Sequence, residues 1–259
     1  MRLVSSALIW FVISLLVLFW LPIMFFTWIF DRDSSKYRTG KVFRKLGLAV
    51  SRVNPNWKIS KEGYEQIDDR NPYVVVSNHL SHADIPVISN LPWEMKWVAK
   101  KELFEVPVLG RMLKMSGDIP VDRKSSNKRA GVFKSSTEYL KNNVSVMFFP
   151  EGTRSRTGKV NRFAPGAFEL AIRNGVPILP IALDGTQDCL PKKDWVFKPD
   201  VYVKLKVLEP IETKSLEPDQ SIELMKKVKT LIVEQVAEWR GCELTQVDST
   251  LHPQQADDV

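Results

Sequence analysis

Hydrophobic and polar positions alternate with three different rhythms along this chain. From Leu3 to Phe30 no charged residue occurs. As one straight helix that run would reach about 42 Å, against a hydrocarbon core of about 30 Å, so a membrane anchor is expected. Pro22 lacks a backbone donor and crowds the preceding turn, which predicts a break or kink near Leu21. A second rhythm follows over 31–60, where Val42, Phe43, Leu46, Leu48 and Val50 are spaced for an amphipathic helix against the membrane or the domain. Asn54-Pro55-Asn56 ends it.

Beyond residue 60 short apolar runs alternate with helical spacing. YVVVS (73–77), MKWVAK (95–100), DIPV (118–121), VSVMFFP (144–150) and VPILPIAL (176–183) predict strands, with Pro120 marking an edge or a bulge. VYVKLKVLEPI (201–211) alternates as a half-exposed strand would. Helices are expected over 102–115, over 127–141 after a cap at Ser126, over 165–174 ending at Gly175, and from Ser221 to about Trp239. Strands alternating with helices predict an α/β fold, a mixed sheet flanked by helices behind an N-terminal hydrophobic helical anchor. The expected organisation is a membrane-binding segment over 1–60, a catalytic domain over 61–240 and a polar, disordered tail over 241–259.

Charge refines this picture. The net charge is +7, and Arg32, Lys36, Arg38, Lys41, Arg44 and Lys45 crowd the C-terminal side of the apolar run. That asymmetry places the following domain on the cytoplasmic face of the cell's inner membrane, where a basic surface suits anionic lipid. A spanning helix and a hairpin sunk into one leaflet both fit. The apolar run is too long for a cleaved signal peptide, and no small-x-small cleavage site follows. Nucleic-acid binding is the rival reading of a basic protein, but no nucleic-acid motif or aromatic-basic repeat occurs. Two cysteines, Cys189 and Cys242, give neither a disulfide framework nor metal-ligand spacing.

Candidate chemistry gathers in four loops. NHLSHADIP (78–86) leads from a buried strand into an expected helix beginning at Ser81, with Ser81 and Asp84 spaced as a capping box. With His79 before the cap and Asp84 in the first turn, the imidazole can fold back onto the carboxylate, the arrangement of a general base. His79, His82 and Asp84 are also metal-ligand types, and a purely structural cap explains the same letters. These residues alone leave the three readings open. FFPEGTRSRTGK (148–159) supplies backbone N–H groups, hydroxyls and guanidinium forks suited to phosphate, without the spacing of a nucleotide-hydrolysing loop. In it Glu151 is placed to position Arg154 or cap a turn. GDIPVDRK (117–124) and AKKEL (99–103) place Arg123 and Lys100 at strand exits.

In this order NHLSHAD, GDIPVDR, FPEGTRS and VPILPIAL resemble the four sequence blocks of the glycerolipid acyltransferases, and among these the bacterial lysophosphatidic acid acyltransferases. The resemblance covers about residues 70–185. It implies His79 as the base and Asp84 as its orienting carboxylate, with His82 at a variable position. It implies that Arg123 and the stretch Glu151, Gly152, Thr153 and Arg154 bind the acceptor's glycerol phosphate, with Lys100 a further phosphate contact. Pro120 departs from the family, which more often has an aromatic residue there. The implied reaction moves an acyl chain from acyl-CoA or acyl carrier protein to the free sn-2 hydroxyl of lysophosphatidic acid, with no metal, cofactor or nucleic acid. Other acceptors and a membrane-anchored metal-dependent hydrolase are the alternatives.

Overall fold

The computed structural model describes residues 2–68, 71–122, 126–190 and 195–251. In chain order the elements are α1 (Arg2–Phe30), α2 (Tyr37–Val53), β1 (Trp57–Glu62), β2 (Val74–Ser77), α3 (Asp84–Ile88), β3 (Met95–Lys100), α4 (Leu109–Ser116), β4 (Ile119–Val121) and α5 (Ser126–Lys141). Then follow β5 (Ser145–Phe148), α6 (Gly166–Asn174), β6 (Ile178–Asp184), α7 (Thr186–Cys189), β7 (Val201–Val207), α8 (Ser221–Arg240) and α9 (Leu244–Val247).

Seven strands among the described residues form one mixed sheet in the order β1-β7-β6-β2-β5-β3-β4. Only the β6–β7 pair is antiparallel, so β2 to β6 all run the same way and their C-terminal ends share one edge. β4 carries Pro120 at the outer edge, where its missing N–H costs no ladder bond. Side chains alternate across the pleat. Val74, Val76, Val146 and Ile178 meet α6 and α8 on one face, while Val75, Met147, Leu179 and Leu183 meet α3, Trp93 and Trp97 on the other.

Several expectations change. α1 runs through Pro22 without a break. Its two sides are tied to the domain around that point: the Trp20 indole N–H donates to the Val42 carbonyl at 2.9 Å, and Met24 is fully buried against α2 and α4. The expected helix over 102–115 is split, because Val106 precedes Pro107 and adopts the extended backbone such a residue prefers, leaving a 3-10 turn over Lys101–Glu105 before α4. The sheet begins at Trp57, upstream of the expected boundary at residue 61. β1 pairs in parallel with β7, Lys58 opposite Tyr202.

The expected disordered tail is a second correction over its described part. Val247 in α9 is fully buried, and Val160 N–H donates to the Val247 carbonyl at 2.8 Å while Ser249 N–H donates to the Val160 carbonyl at 3.0 Å. Asp248 takes both carboxylate oxygens to the Lys229 ammonium at 2.6 and 2.7 Å. One buried valine among polar neighbours fixes this segment, which composition alone does not reveal. Residues 252–259 lie outside the described residues.

α2 carries one of the flanking cations inward. Arg44 is buried and holds both oxygens of Asp118 at 2.5 and 2.7 Å. Beside it the wholly buried Lys96 ammonium donates to Glu94 at 3.0 Å, to the Ser116 carbonyl at 2.7 Å and to the Lys36 carbonyl at 3.1 Å. Gly40 permits this approach: a Cβ there would lie 1.9 Å from the Glu94 carboxylate. This network joins the helical hairpin to the sheet.

Candidate active site

The common edge of β2 and β5 supports the site. β2 ends in buried Ser77 and Asn78, and the Asn78 side chain both donates to the Leu183 carbonyl and accepts from the Leu183 N–H, each at 2.9 Å. It thus extends the β2–β6 ladder by one side chain and fixes where the next residue, His79, leaves the sheet.

His79 Nδ1 lies 2.6 Å from Asp84 Oδ2. The same oxygen accepts the N–H groups of Leu80 at 2.8 Å and Ser81 at 3.0 Å, so the loop wraps around a carboxylate that is itself wholly buried. Only half of the expected capping box forms. Asp84 caps Ser81 N–H, but the Ser81 hydroxyl accepts from Ala83 N–H at 3.3 Å and regular helix starts at Asp84. The His79 ring stacks on Phe149, with centroids 4.0 Å apart, and its side chain is 13% exposed. Nδ1 is thereby committed to Asp84, and Nε2 is the nitrogen left for a substrate proton.

Both carboxylate oxygens of Glu151 are engaged within the protein. One of its oxygens accepts the His79 N–H at 2.7 Å, and the other accepts from the Asn161 backbone N–H at 3.0 Å and side-chain amide at 2.6 Å. Burial pushes its carboxyl up to about 7, against the pull of these hydrogen bonds, and the nearby Asp84 charge acts in the same direction as burial. Its role is to hold the backbone of the histidine loop, and Ser155 N–H, which donates to the His79 carbonyl at 2.8 Å, holds the other side. Gly152, with φ of +67°, makes the turn between them in a conformation that disfavours other residues. Thr153 is exposed and contributes no side chain to this arrangement.

A cavity of about 340 Å³ opens next to the histidine loop, lined by Ser81, Arg154, Ser155, Arg156, Gln187 and Arg240 among others. The buried Ser155 hydroxyl and the Gln187 side-chain oxygen have no partner among the described residues. With three guanidinium groups beside them, this is chemistry suited to an oxyanion. Lys100 stands elsewhere. It leaves β3, two strands or about 10 Å along the edge from β2, exposed and 3.4 Å from Glu102. Arg123, the third expected cation contact, lies outside the described residues. His82 is exposed whereas Asp84 is buried, and among the described residues no three His, Cys, Asp or Glu side chains gather to hold a metal.

Sequence reasoning missed Asn78, Phe149, Asn161 and Arg240. Asn78 and Phe149 lie within the motifs and had a local signal, but nothing in the chain connects Asn161 with Glu151 or Arg240 with the loop. Arg240, at the end of α8, donates to Asp184 at 2.6 Å and to the Gly158 carbonyl at 3.0 Å.

Residues 58–184 match the model of the Acyltransferase family. The chain is 36% identical over 167 residues to a chloroplastic 1-acyl-sn-glycerol-3-phosphate acyltransferase of Brassica napus, covering 64% of this chain and 48% of that one. It is 35% identical over 164 residues to the alpha form from Mus musculus, covering 62% and 58%. The chain therefore spans about half to three fifths of the length of these curated relatives. The crystal structure of the 1-acyl-sn-glycerophosphate acyltransferase PlsC from Thermotoga maritima superimposes with a TM-score of 0.79 and 28% identity, covering 93% of this chain and 97% of that one.

Proposed function

The chain belongs to the acyltransferase family, and from that membership we propose that it transfers an acyl chain from a thioester to the free sn-2 hydroxyl of lysophosphatidic acid, giving phosphatidic acid. The observation that carries this reading is the His79–Asp84 pair at 2.6 Å, with Nε2 uncommitted beside an arginine-lined cavity.

His79 Nε2 takes the hydroxyl proton as the acceptor oxygen attacks the thioester carbonyl. The C–O bond forms, the C–S bond breaks, and the imidazolium returns the proton to the departing thiolate. Asp84 fixes the tautomer and offsets the transient charge, while the Phe149 face supports the same cation. Such base assistance is worth about 10²–10⁴-fold. Arg154 holds the acceptor phosphate, with Lys100 and Arg123 in the role of further phosphate contacts. The donor is acyl-CoA or acyl carrier protein, and the protein itself contributes no cofactor or metal.

α1 supplies access to lipid. It meets the domain near both ends: the Ser6 hydroxyl accepts from Phe197 N–H, the Trp10 indole N–H donates to the Trp195 carbonyl, and Met24 is buried by α2 and α4. Phe11, Leu15, Leu18, Phe19, Phe26 and Phe30 remain exposed. A helix attached over that length favours immersion in one leaflet over a perpendicular span, with the domain on the cytoplasmic face.

Purified protein in detergent, given lysophosphatidic acid, glycerol 3-phosphate or a lysophospholipid without a phosphate monoester, is expected to release thiol with the first acceptor. Running the panel with acyl-CoA and with acyl carrier protein identifies the donor. His79→Ala should lower turnover by about 10²–10⁴-fold with the fold retained. Absence of product from lysophosphatidic acid with both donors would overturn the reading.

A further inference from the structure

The catalytic loop is held from behind by a segment that lies beyond the matched family region. Four contacts make the connection. Lys159 donates to the Thr245 carbonyl at 3.0 Å, Val160 exchanges backbone hydrogen bonds with Val247 and Ser249, and the Ser249 hydroxyl donates to the Asn161 side-chain oxygen at 3.3 Å. Arg240 adds its bond to the Gly158 carbonyl. Val160 and Val247 are both fully buried, so the joint is a packed one.

Asn161 carries the connection inward. Its backbone N–H and side-chain amide both donate to one oxygen of Glu151, whose other oxygen accepts the His79 N–H. An unbroken path of hydrogen bonds therefore runs from Ser249 through Asn161 and Glu151 to the backbone of the base. We propose that Asn161 is a positioning residue for His79, and that the strap Glu243–Thr250 holds it in place.

The physical argument rests on what each bond fixes. Asp84 sets the rotation of the imidazole, but where the ring stands depends on the backbone from which it hangs. That backbone leaves the sheet after Asn78, and beyond this point its N–H is held only by Glu151. A buried carboxylate held by one bond would swing; two donors from a single asparagine pin it. Asn161 in turn is placed by the β-type pairing of its neighbour Val160 with the strap and by the Ser249 hydroxyl. Lys229, which binds Asp248 at 2.6 Å, anchors the strap to α8 and hence to the sheet. Among the described residues no hydrogen bond joins the strap to a residue lining the cavity, so its effect passes through the loop.

This inference rests on the acyl-transfer reading for its kinetic test and is independent of it for its structural test. In the full-length protein, Asn161→Asp keeps the shape of the side chain, removes the donor to Glu151 and adds a like charge. It should lower kcat by about 10- to 100-fold while leaving KM for donor and acceptor within about twofold. Asn161→Ala should fall in the same direction. Val247→Ala, a milder change in the strap that leaves Asn161 intact, should lower kcat less and speed amide hydrogen exchange at His79 about tenfold, without changing exchange in β2 or β6. Exchange at the His79 amide matching the native protein in both Asn161→Asp and Val247→Ala would overturn the proposal whatever the rates. So would full activity of Asn161→Asp. A native protein inactive on every acceptor would remove the acyl-transfer reading, and the exchange measurement would still decide the strap.

Discussion

Among individual residues, Glu151 carries the clearest conflict between stability and use. Its carboxyl is raised from the ordinary 4.5 to about 7, so the folded protein keeps a proton that the unfolded chain releases. Stability from this group is therefore present at low pH and lost as pH rises through the window from 4.5 to 7. Between pH 5 and 8 the loss amounts to about 2 to 3 kcal/mol. Thermal unfolding of the native protein and of Glu151→Gln at both pH values should show that difference, with the variant less sensitive; parallel pH dependences would contradict it. The dyad was legible in the sequence because His79 and Asp84 are five residues apart and one loop brings them together. Glu151 was legible as a member of the loop but not in its role, because its partners His79 and Asn161 come from opposite sides of the motif. A pattern of polar letters shows which groups a loop offers and is silent on which of them turn inward.

Among the elements, those made by continuous local signals were the ones the sequence displayed. β2, β5 and β6 are apolar, β-branched runs buried on both faces, and β7 alternates over its whole length. β1 has only Trp57 and Ile59 facing inward, and its stability comes from β7, so nothing local marks it. α2 was expected as an amphipathic helix against the membrane or the domain, and its cation Arg44 faces in and closes a charge network with Asp118 and Glu94. Arg44→Ala leaves the buried Asp118 carboxylate without its cation, Glu94 keeping Lys96, and should cost about 3–5 kcal/mol. Lys58→Ala, which removes the exposed and solvent-screened pair with Asp200, should leave the melting temperature almost unchanged. Melting temperatures in detergent separate the two, and equal shifts would show that the Arg44 network does not secure α2.

For the molecule as a whole, the exposed apolar side of α1 is the surface offered to lipid. Spin labels at Leu8, Leu18 and Ile29, all exposed on α1, should report similar depths in a bilayer. In a perpendicular span Leu18 would sit about 15 Å deeper than Leu8. That second result would reject immersion in one leaflet.

The parallel pairing of β1 with β7 also gives the chain a timetable. Lys58 and the Tyr202 hydroxyl it bonds are 144 residues apart, and at about 5–20 residues per second a ribosome needs roughly 7 to 30 s to supply the second after the first. α1 emerges before either. The hydrophobic helix is therefore available to lipid while the outer strand still waits for its neighbour.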